Sequence, residues 1–274
     1  MPIRVADRPT SLEVQHSQRW CEHFVGNEDR QVAIPWDVAR PLDEAVRRIL
    51  LPSLQDFQLG ESSEGHHGRA RASAYGERVG DPHYAEAIRL FFAEENRHAA
   101  YLARYLRLQG VEPIGRSWTD FVFRRVRRLM GLELLLTVLL TAELIGEVYY
   151  RAIRTATRCP ALRAVCAQLL RDEVMHVRFH VQRFRLLRRG RSRLRTTIQD
   201  GLWACFLGAT CLAVWTKHGR AIRLGGYGFL RFWREANDRR RRAVRESNQA
   251  PAKTESFLVR SMTDASYVSS GGAL

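Results

Sequence analysis

The sequence predicts an all-α protein, a four-helix bundle followed by additional C-terminal helices. Three observations predict this fold class. Apolar residues recur every three or four positions over long stretches, the spacing that gives a helix an apolar face. Gly and Pro residues divide these stretches into segments of helical length. Two of the segments also carry a Glu-x-x-His pair, Glu95/His98 and Glu173/His176, within an otherwise apolar run.

Residues 1–40 are predicted to form a leader or a strap across the bundle. The first part of this segment, to about residue 35, is polar and irregular, and it lacks the apolar core of a signal peptide. One more Glu-x-x-His match, Glu13/His16, falls here without apolar periodicity. We interpret that copy as a chance match.

The bundle is predicted to occupy residues 41–190. Pro52 starts or kinks its first helix, which continues to about Tyr75. One row of that helix has alternating spacings of three and four and should face the core; it contains Leu54, Phe57, Glu61, Glu64 and Gly68. Two acids in a core-facing row are costly unless a cation neutralises them.

The other three bundle helices are delimited by turn residues. They are predicted at Asp81–Leu108, Ser117–Thr157 and Ala161–Arg189. Asp81-Pro82 is a favourable helix start, with Asp as N-cap and Pro at the first helical position. Gly110–Gly115 should form the crossover, and Gly190 should end the fourth helix.

Residues 191–246 are predicted to form a helical extension with helices at Ser192–Lys217 and Tyr227–Glu246, and residues 247–274 a disordered tail rich in small polar residues. The uncharged run Leu202–Trp215 is shorter than the roughly 20 residues that span a bilayer. We therefore expect no membrane span, and a helix that lies on a membrane surface stays open.

The net charge of +15 comes almost wholly from arginine. Arginines concentrate at Arg183–Arg195 and Arg239–Arg245, which could attract nucleic acid, anionic lipid or an acidic partner protein. The alternative is that these residues form ordinary solvated helix faces. The sequence favours neither reading.

The five cysteines form no Cys-x-x-Cys pair, which excludes a zinc or rubredoxin-type module. Their odd number and scatter are typical of reduced thiols, so we expect a cytoplasmic protein that could be peripheral to a membrane.

The two Glu-x-x-His pairs indicate a metal site. Positions i and i+3 of a helix are neighbours, so Glu95 and His98 can reach one ion, as can Glu173 and His176. Two such pairs, with one Glu from each of two other helices, form the ligand set of di-iron and di-manganese carboxylate bundles. The opposing interpretation is that these acids pair with arginines and bind no metal.

We choose the first bridging carboxylate by its height, meaning its position along the axis of the bundle. Ligands on an antiparallel helix pair should be about equally far along the chain from the connecting turn. Across a turn near residue 79, this test selects Glu64 as the partner of Glu95. Along the bundle axis, Glu61 lies nearly one helical turn away from the level of Glu95. We keep it as an alternative ligand or as a group that contacts the ligands.

The same test leaves two candidates for the second bridging carboxylate. Across the turn near residue 159, Glu143 and Glu147 fit Glu173 equally well. We choose Glu143 because it lies nearer the apolar centre of its helix, where an unneutralised acid costs most. Glu147 remains an alternative, and His180, on the same face as Glu173, is a candidate extra ligand or outer group.

The stretch AEENRHAAYLARYLRLQG, residues 93–110, resembles the second bundle helix of plant-type acyl-carrier-protein desaturases, whose motif is also Glu-Glu-Asn-Arg-His. More broadly, residues 42–189 resemble the ferritin-like di-iron proteins, including ribonucleotide reductase small subunits, monooxygenase hydroxylases and rubrerythrins. The Asp172-Glu173-x-x-His176 motif is similar to the fourth-helix motif of that superfamily.

The resemblance implies a ferritin-like bundle that binds two iron ions, with manganese as the alternative. It makes ligands of the two Glu-x-x-His pairs and gives Asp172 the role of orienting a ligand histidine, with Glu94 and Arg97 in the same outer network. Val174-Met175 replaces basic residues of the desaturase motif. The metal site therefore carries over, and the fatty-acyl substrate does not.

The leading functional expectation is a di-iron oxidase or oxygenase that hydroxylates, desaturates or otherwise oxidises an organic substrate. It would need dioxygen, a small-molecule or carrier-bound substrate and an external electron donor, and the sequence leaves open whether the chain forms a homodimer. One alternative is peroxide or iron handling of the rubrerythrin, catalase or ferritin kind. The other is a non-enzymatic basic protein that binds nucleic acid or lipid through its arginine-rich helices.

Overall fold

The computed structural model describes residues 11–39, 41–62, 66–115 and 131–248, and its regular elements there are helical. Besides a 3₁₀ turn at Trp36–Val38, it contains eight α-helices: α1 (Ser11–Glu28), α2 (Glu44–Glu61), α3 (His66–Val79), α4 (His83–Leu108), α5 (Leu132–Ala156), α6 (Pro160–Leu187), α7 (Arg193–Leu224) and α8 (Phe229–Asn248). The all-α class predicted from the sequence is confirmed.

The long helices α4, α5 and α6 form the centre of the protein. Helices α5 and α6 pack along each other, and α4 is contacted by α1, α2, α3 and α6. Helices α7 and α8 pack together and cover α5 on another side. The middle of α5 is buried almost all round, as its apolar composition predicts.

The apolar core consists of two clusters separated along the helices. One contains Leu102, Tyr105 and Leu106 of α4, and the other contains Phe91 and Phe92 of the same helix. Helices α5 and α6 likewise contribute their two halves to different clusters. The acidic and histidine residues of the central helices therefore lie in a polar layer between two apolar layers.

Helix α1 corrects the prediction of an irregular leader. Ser17, Trp20, Phe24 and Asn27 recur at spacings of three and four, and all four are buried. Trp20 and Phe24 pack against Phe179 of α6, with ring centroids 5.2 and 5.4 Å apart. The residues between these positions are mostly polar, so the segment was not recognised as a helix. The spacing of three and four residues, which predicted the other helices, also indicates this one.

The first predicted bundle helix is not continuous. Helix α2 contains Pro52 in its interior and ends at Glu61, because Ser62 is extended with φ −73° and ψ 95°. Residues 63–65 lie outside the described part, and α3 begins at His66. Glycines at positions 60 and 65 and serines at 62 and 63 have low helix propensity, which accounts for the break.

The other helix boundaries differ in smaller ways. Pro82, not Asp81, is the N-cap of α4, and the Asp81 carboxylate instead accepts from Ser17 Oγ at 2.6 Å. Helix α5 begins after Gly131, whose backbone is extended, whereas the sequence predicted one helix from Ser117; residues 116–130 lie outside the described part. Ser247 and Asn248, the first two residues of the predicted tail, instead end α8, and the rest of the tail lies outside the described part.

Helix α7 runs past its predicted end at Lys217 to Leu224. It ends at Gly225, where a Cβ atom would lie only 2.1 Å from the Ala152 carbonyl oxygen of α5, and at Gly226, with φ 81°. Among the described residues, α7 is the one helix that is long enough and apolar enough to cross a membrane, judged by length and composition; its mean hydropathy is 1.3. The shorter uncharged run considered in the sequence did not indicate this.

Candidate metal centre

The two Glu-x-x-His pairs meet in the polar layer. Glu95 and His98 project from α4, Glu173 and His176 from α6, and one potential ligand atom from each lies within 4.8 Å of the others. His176 Nδ1 is 2.9 Å from a Glu95 oxygen and 3.5 Å from a Glu173 oxygen. Both histidines are fully buried. This buried cluster can hold a metal ion.

Two further carboxyl groups complete the cluster, one from α5 and one from α2. Glu143 Oε2 lies 3.4 Å from His176 Nδ1, and its carboxyl group is hydrogen-bonded to that of Glu173. Glu61, at the end of α2, is hydrogen-bonded to Glu95. Glu143 is the residue that we chose over Glu147 because it lies nearer the apolar centre of its helix. Glu61 is the alternative from the first helix, and Glu64, the first choice, falls among the residues outside the described part.

The atoms that face the centre of the cluster contact one another. Glu95 Oε1, His98 Nδ1, Glu173 Oε2 and His176 Nδ1 are buried, and none makes a hydrogen bond of good geometry with a described residue, although His176 Nδ1 and Glu95 Oε1 lie 2.9 Å apart. Leaving buried polar atoms unpaired costs about 1–3 kcal/mol each. Because they converge from two helices, one or two cations would satisfy all of them. Carboxylate oxygens with imidazole nitrogens suit iron, manganese or zinc better than metals that prefer thiolate.

The opposite nitrogen of each histidine is held by an acid from the other helix. His98 Nε2 of α4 donates to Asp172 Oδ2 of α6 at 3.1 Å, and His176 Nε2 of α6 donates to Glu94 Oε2 of α4 at 3.0 Å. Each acid directly precedes the Glu of a Glu-x-x-His pair. The crossed arrangement fixes both Nε2–H tautomers and leaves both Nδ1 atoms free for a metal.

Asn27 of α1 joins the two outer acids, and the sequence reasoning missed it. Its side-chain nitrogen donates to Glu94 Oε1 and, at 3.0 Å, to Asp172 Oδ1. Gln168 also donates to Asp172, at 2.6 Å. One amide thus uses both of its hydrogens to tie α1 to α4 and α6. The helical spacing that leads from Trp20 to Asn27 was the available signal.

The outer acids are ionised. Burial alone would raise the pKa of Glu94, but the hydrogen bond and the charge of His176 outweigh it and lower that pKa to about 2. The pKa of Asp172 is lowered for the same reason, with His98 as its partner. Burial acts against the charged form of His176, yet the charge of Glu95 and further carboxylates raise its pKa well above 6.5. The metal-free cluster therefore carries positive charge on an imidazole.

The inner carboxyl groups share protons when no metal is bound. Burial, followed by the charge of Glu95, raises the pKa of Glu61. Burial, followed by the charge of Glu143, raises that of Glu173. The pKa of Glu143 itself is lowered, because the hydrogen bond from Glu173 and the contact with His176 outweigh its burial. These protons occupy the positions where cations would neutralise the same carboxylates.

Two other residues singled out in the sequence have partners of their own. Arg97 donates to Glu94 Oε1 at 2.8 Å and to Glu28 at 3.0 Å, so it belongs to the outer network as the resemblance implies. Glu147 is paired with Arg239 Nε of α8 at 2.8 Å. Glu147, the alternative ligand on α5, is thus neutralised by an arginine and does not join the cluster.

His180 lies one helical turn after His176 on α6. It is fully buried, its ring packs against Phe91 at 4.8 Å between centroids, and neither ring nitrogen has a hydrogen-bond partner among the described residues. Burial and the charge of His176 lower its pKa to about 3, so it is neutral. It contributes no atom to the group of four convergent ligands.

A cavity of about 180 Å³ extends from the cluster. Glu61, Glu95, Glu143 and Glu173 form one end of it. Apolar side chains from α4, α5 and α7 form most of the remaining wall; they include Phe91, Phe92, Val138, Leu139, Ala213 and Val214. Tyr150 lies close by and donates its hydroxyl hydrogen to Glu61. The cluster therefore faces a space suited to an apolar molecule.

Comparison with protein-family models, curated proteins and solved structures gives no match to this chain. The resemblance to the ferritin-like di-iron proteins therefore depends on the two motifs. The assignment of a metal site depends on the convergence of the described side chains.

Proposed function

We propose that the protein is a non-haem di-iron oxidase or oxygenase built on a ferritin-like four-helix bundle, with α2, α4, α5 and α6 as the four helices. The observation that carries the proposal is that the carboxyl groups of the Glu/His cluster, Glu95 and Glu173 among them, line a largely apolar cavity. Two iron ions, with manganese as the alternative, would be held by Glu61, Glu95, His98, Glu143, Glu173 and His176.

The charge of the ligand set supports two divalent ions. Four carboxylates carry four negative charges, which balance two divalent cations and leave the imidazoles neutral. A balanced site is tolerable at this depth, whereas unpaired buried carboxylates are not. Bound iron would supply the electrons that activate dioxygen.

The chain's own residues supply orientation and a dry site. Glu94 and Asp172 accept the Nε2 protons and so direct both Nδ1 atoms inward. The apolar walls from α5 and α7 exclude water and hold the substrate beside the carboxylates. This largely apolar cavity favours oxidation of an organic substrate over iron storage or peroxide removal, neither of which requires an apolar pocket.

The test measures oxygen uptake and organic product together. Iron-loaded, reduced protein is exposed to dioxygen with a panel of apolar substrates, and we expect uptake coupled to an oxidised product. Ala213→Phe, which fills the cavity, should lower product formation at least tenfold and leave the iron content unchanged. Ala100→Phe, at an exposed position of α4, is the matched control and should change neither.

Two outcomes would contradict the proposal. One is rapid peroxide breakdown or iron mineral formation with no organic product from any substrate. The other is full product formation by Ala213→Phe, which would show that the cavity does not hold the substrate.

A further inference from the structure

Helix α7 carries an apolar face that points away from the protein. Along it, exposed residues recur at spacings of three and four: Leu194, Ile198, Leu202, Cys205, Ala209 and Leu212. We call these six residues the α7 outer face. Leu194, Leu202 and Leu212 are 71, 66 and 55% exposed, and the face is about 27 Å long at 1.5 Å per residue. An apolar strip of this kind marks a surface that meets protein or lipid.

Arginines mark both ends of the α7 outer face. Arg195 lies seven residues before Leu202, about two helical turns, and Arg220 lies eighteen residues after it, about five turns, so both are on the same side. Both are exposed. Asp200 is the one acid in α7; it points to the other side, where Arg188 binds it at 2.8 Å. The face is thus apolar in its middle and purely basic at its ends.

We propose that the α7 outer face docks on the surface of a bilayer that contains anionic lipids. The apolar side chains would enter the boundary between headgroups and acyl chains, and the arginines would contact the lipid phosphates. A second copy of this chain is a poorer occupant. Whether two such faces pair parallel or antiparallel, arginine ends meet arginine ends, and each chain already has a net charge of +15.

The helix lies along the membrane surface in this arrangement and does not cross it. Its other side is packed on the protein from Trp203 to Ile222, with Trp203, Leu207 and Ile222 buried. That side also meets charged groups, since Lys217 pairs with Asp56 of α2 at 2.7 Å. A spanning orientation would place this ion pair in hydrocarbon, where charges are expensive.

The same helix connects the membrane to the cavity. Thr210 and Val214, on the packed side of α7, and Ala213, at the edge of its outer face, line the space that ends at the cluster carboxylates. Resting on the proposed oxygenase function, this placement identifies the substrate class as lipid-soluble molecules that partition into the bilayer and reach the cavity beside α7.

Vesicle flotation of the full chain tests the docking. We expect binding to vesicles of phosphatidylcholine with one-third phosphatidylglycerol, and much weaker binding to phosphatidylcholine alone. Leu202→Asp with Leu212→Asp should lower the partition coefficient at least tenfold, since two apolar anchors are lost. Arg195→Gln with Arg220→Gln should lower it about fivefold for each arginine. Val25→Asp with Leu108→Asp, at exposed apolar positions of α1 and α4, is the control and should bind as the wild type.

Metal content and helix content are measured on the same samples. Wild-type protein that stays in solution with anionic vesicles overturns the inference, as does a Leu202→Asp/Leu212→Asp protein that is folded and binds fully. A wild-type dimer that this double variant converts to monomer would overturn it in favour of self-association. If the metal content is normal in any of these cases, the oxygenase proposal stands and only the docking proposal fails. If the protein binds vesicles but takes up no iron, the oxygenase proposal fails and the docking proposal stands.

Discussion

At the scale of single residues, the candidate metal site depends on side chains that contribute no ligand atom. The imidazoles of His98 and His176 are aimed by Asp172 and Glu94, and those two acids are in turn joined by Asn27. Partners at this distance from a metal are commonly worth a factor of 10 to 100 in affinity. Asn27 is on a helix that supplies no ligand, so its contribution can be separated from that of the ligands.

Asn27→Ala should weaken metal binding about 10- to 100-fold, because both outer acids lose a hydrogen-bond donor and hold the histidines less firmly. Titration of the metal-free protein with Mn²⁺ or Fe²⁺ measures the change. Gln18→Ala, at an exposed position of the same helix, is the control and should bind as the wild type. An affinity for Asn27→Ala equal to that of the wild type would show that the amide does not position the ligands.

At the scale of helices, the position of α7 is fixed by a glycine turn against α5. A Cβ on Gly225 would lie 2.1 Å from the backbone oxygen of Ala152 and 2.6 Å from its carbonyl carbon. Backbone atoms cannot move aside as the tip of a side chain can. The turn therefore holds α7, and with it one wall of the cavity, at a set distance from α5.

Gly225→Ala should destabilise the protein by about 1–3 kcal/mol, the usual cost of forcing an extra group into a packed interface. Gly228→Ala, three residues later with nothing within 4 Å of its Cβ, should change stability by less than about 0.5 kcal/mol. Urea denaturation of both variants gives the comparison. Equal stabilities would mean that α7 can shift away from α5 without cost.

Helix patterns in the sequence predicted most of the fold that surrounds the site. The segments that became α4 and α6 are strongly periodic, and Glu95, His98, Glu173 and His176 lie together as predicted. Helix α1 was missed because only one residue in every three or four of this polar segment is buried, and two of the buried residues, Ser17 and Asn27, are themselves polar. Helix α2 was extended too far because core periodicity continues through Glu64, whereas local propensity ends the helix at Glu61.

The choice between Glu61 and Glu64 depended on an assumption about the first helix. The test assumed one straight helix up to the turn near residue 79, whereas α2 ends at Glu61 and a second short helix, α3, precedes α4. Glu64 lies outside the described residues, so that choice stays a prediction. The choice of Glu143 as a ligand also stays a prediction; Glu143 lies 3.4 Å from His176, whereas Glu147 is paired with Arg239. The domain boundaries at residues 40, 190 and 246 stay predictions.

At the scale of the whole molecule, the buried acids make stability depend on both pH and metal. In the metal-free protein, the raised pKa values of Glu61, Glu173 and His176 mean that these three groups bind more protons in the folded state than in the unfolded chain. Their contribution to stability must then fall as pH rises above the ordinary carboxyl pKa of 4.5. Buried or half-buried histidines that contribute no ligand, His16, His23, His180 and His218, have lowered pKa values and act in the opposite direction below about pH 6.5. The lowered pKa of Glu94, about 2, acts in the opposite direction below pH 4.5.

Relative to the iron- or manganese-loaded protein, the metal-free protein should therefore lose stability as pH rises from about 5 to 8, because cations replace the protons of the cluster and the other titrating groups contribute to both profiles. Thermal unfolding across this range, with chelator and with metal, gives both profiles. Profiles that are parallel, or a difference between them that shrinks with rising pH, would show that the cluster does not store protons in place of metal.

The most direct test of the metal centre is the iron content of protein expressed in iron-supplemented medium. We expect about two irons per chain, as the six-ligand set requires. Glu95→Ala with Glu173→Ala should reduce that content to near zero, and Glu86→Ala with Glu246→Ala, at two exposed positions, should leave it unchanged. Full iron content in the Glu95→Ala/Glu173→Ala protein, or a wild type that binds no iron or manganese, would contradict the existence of this site.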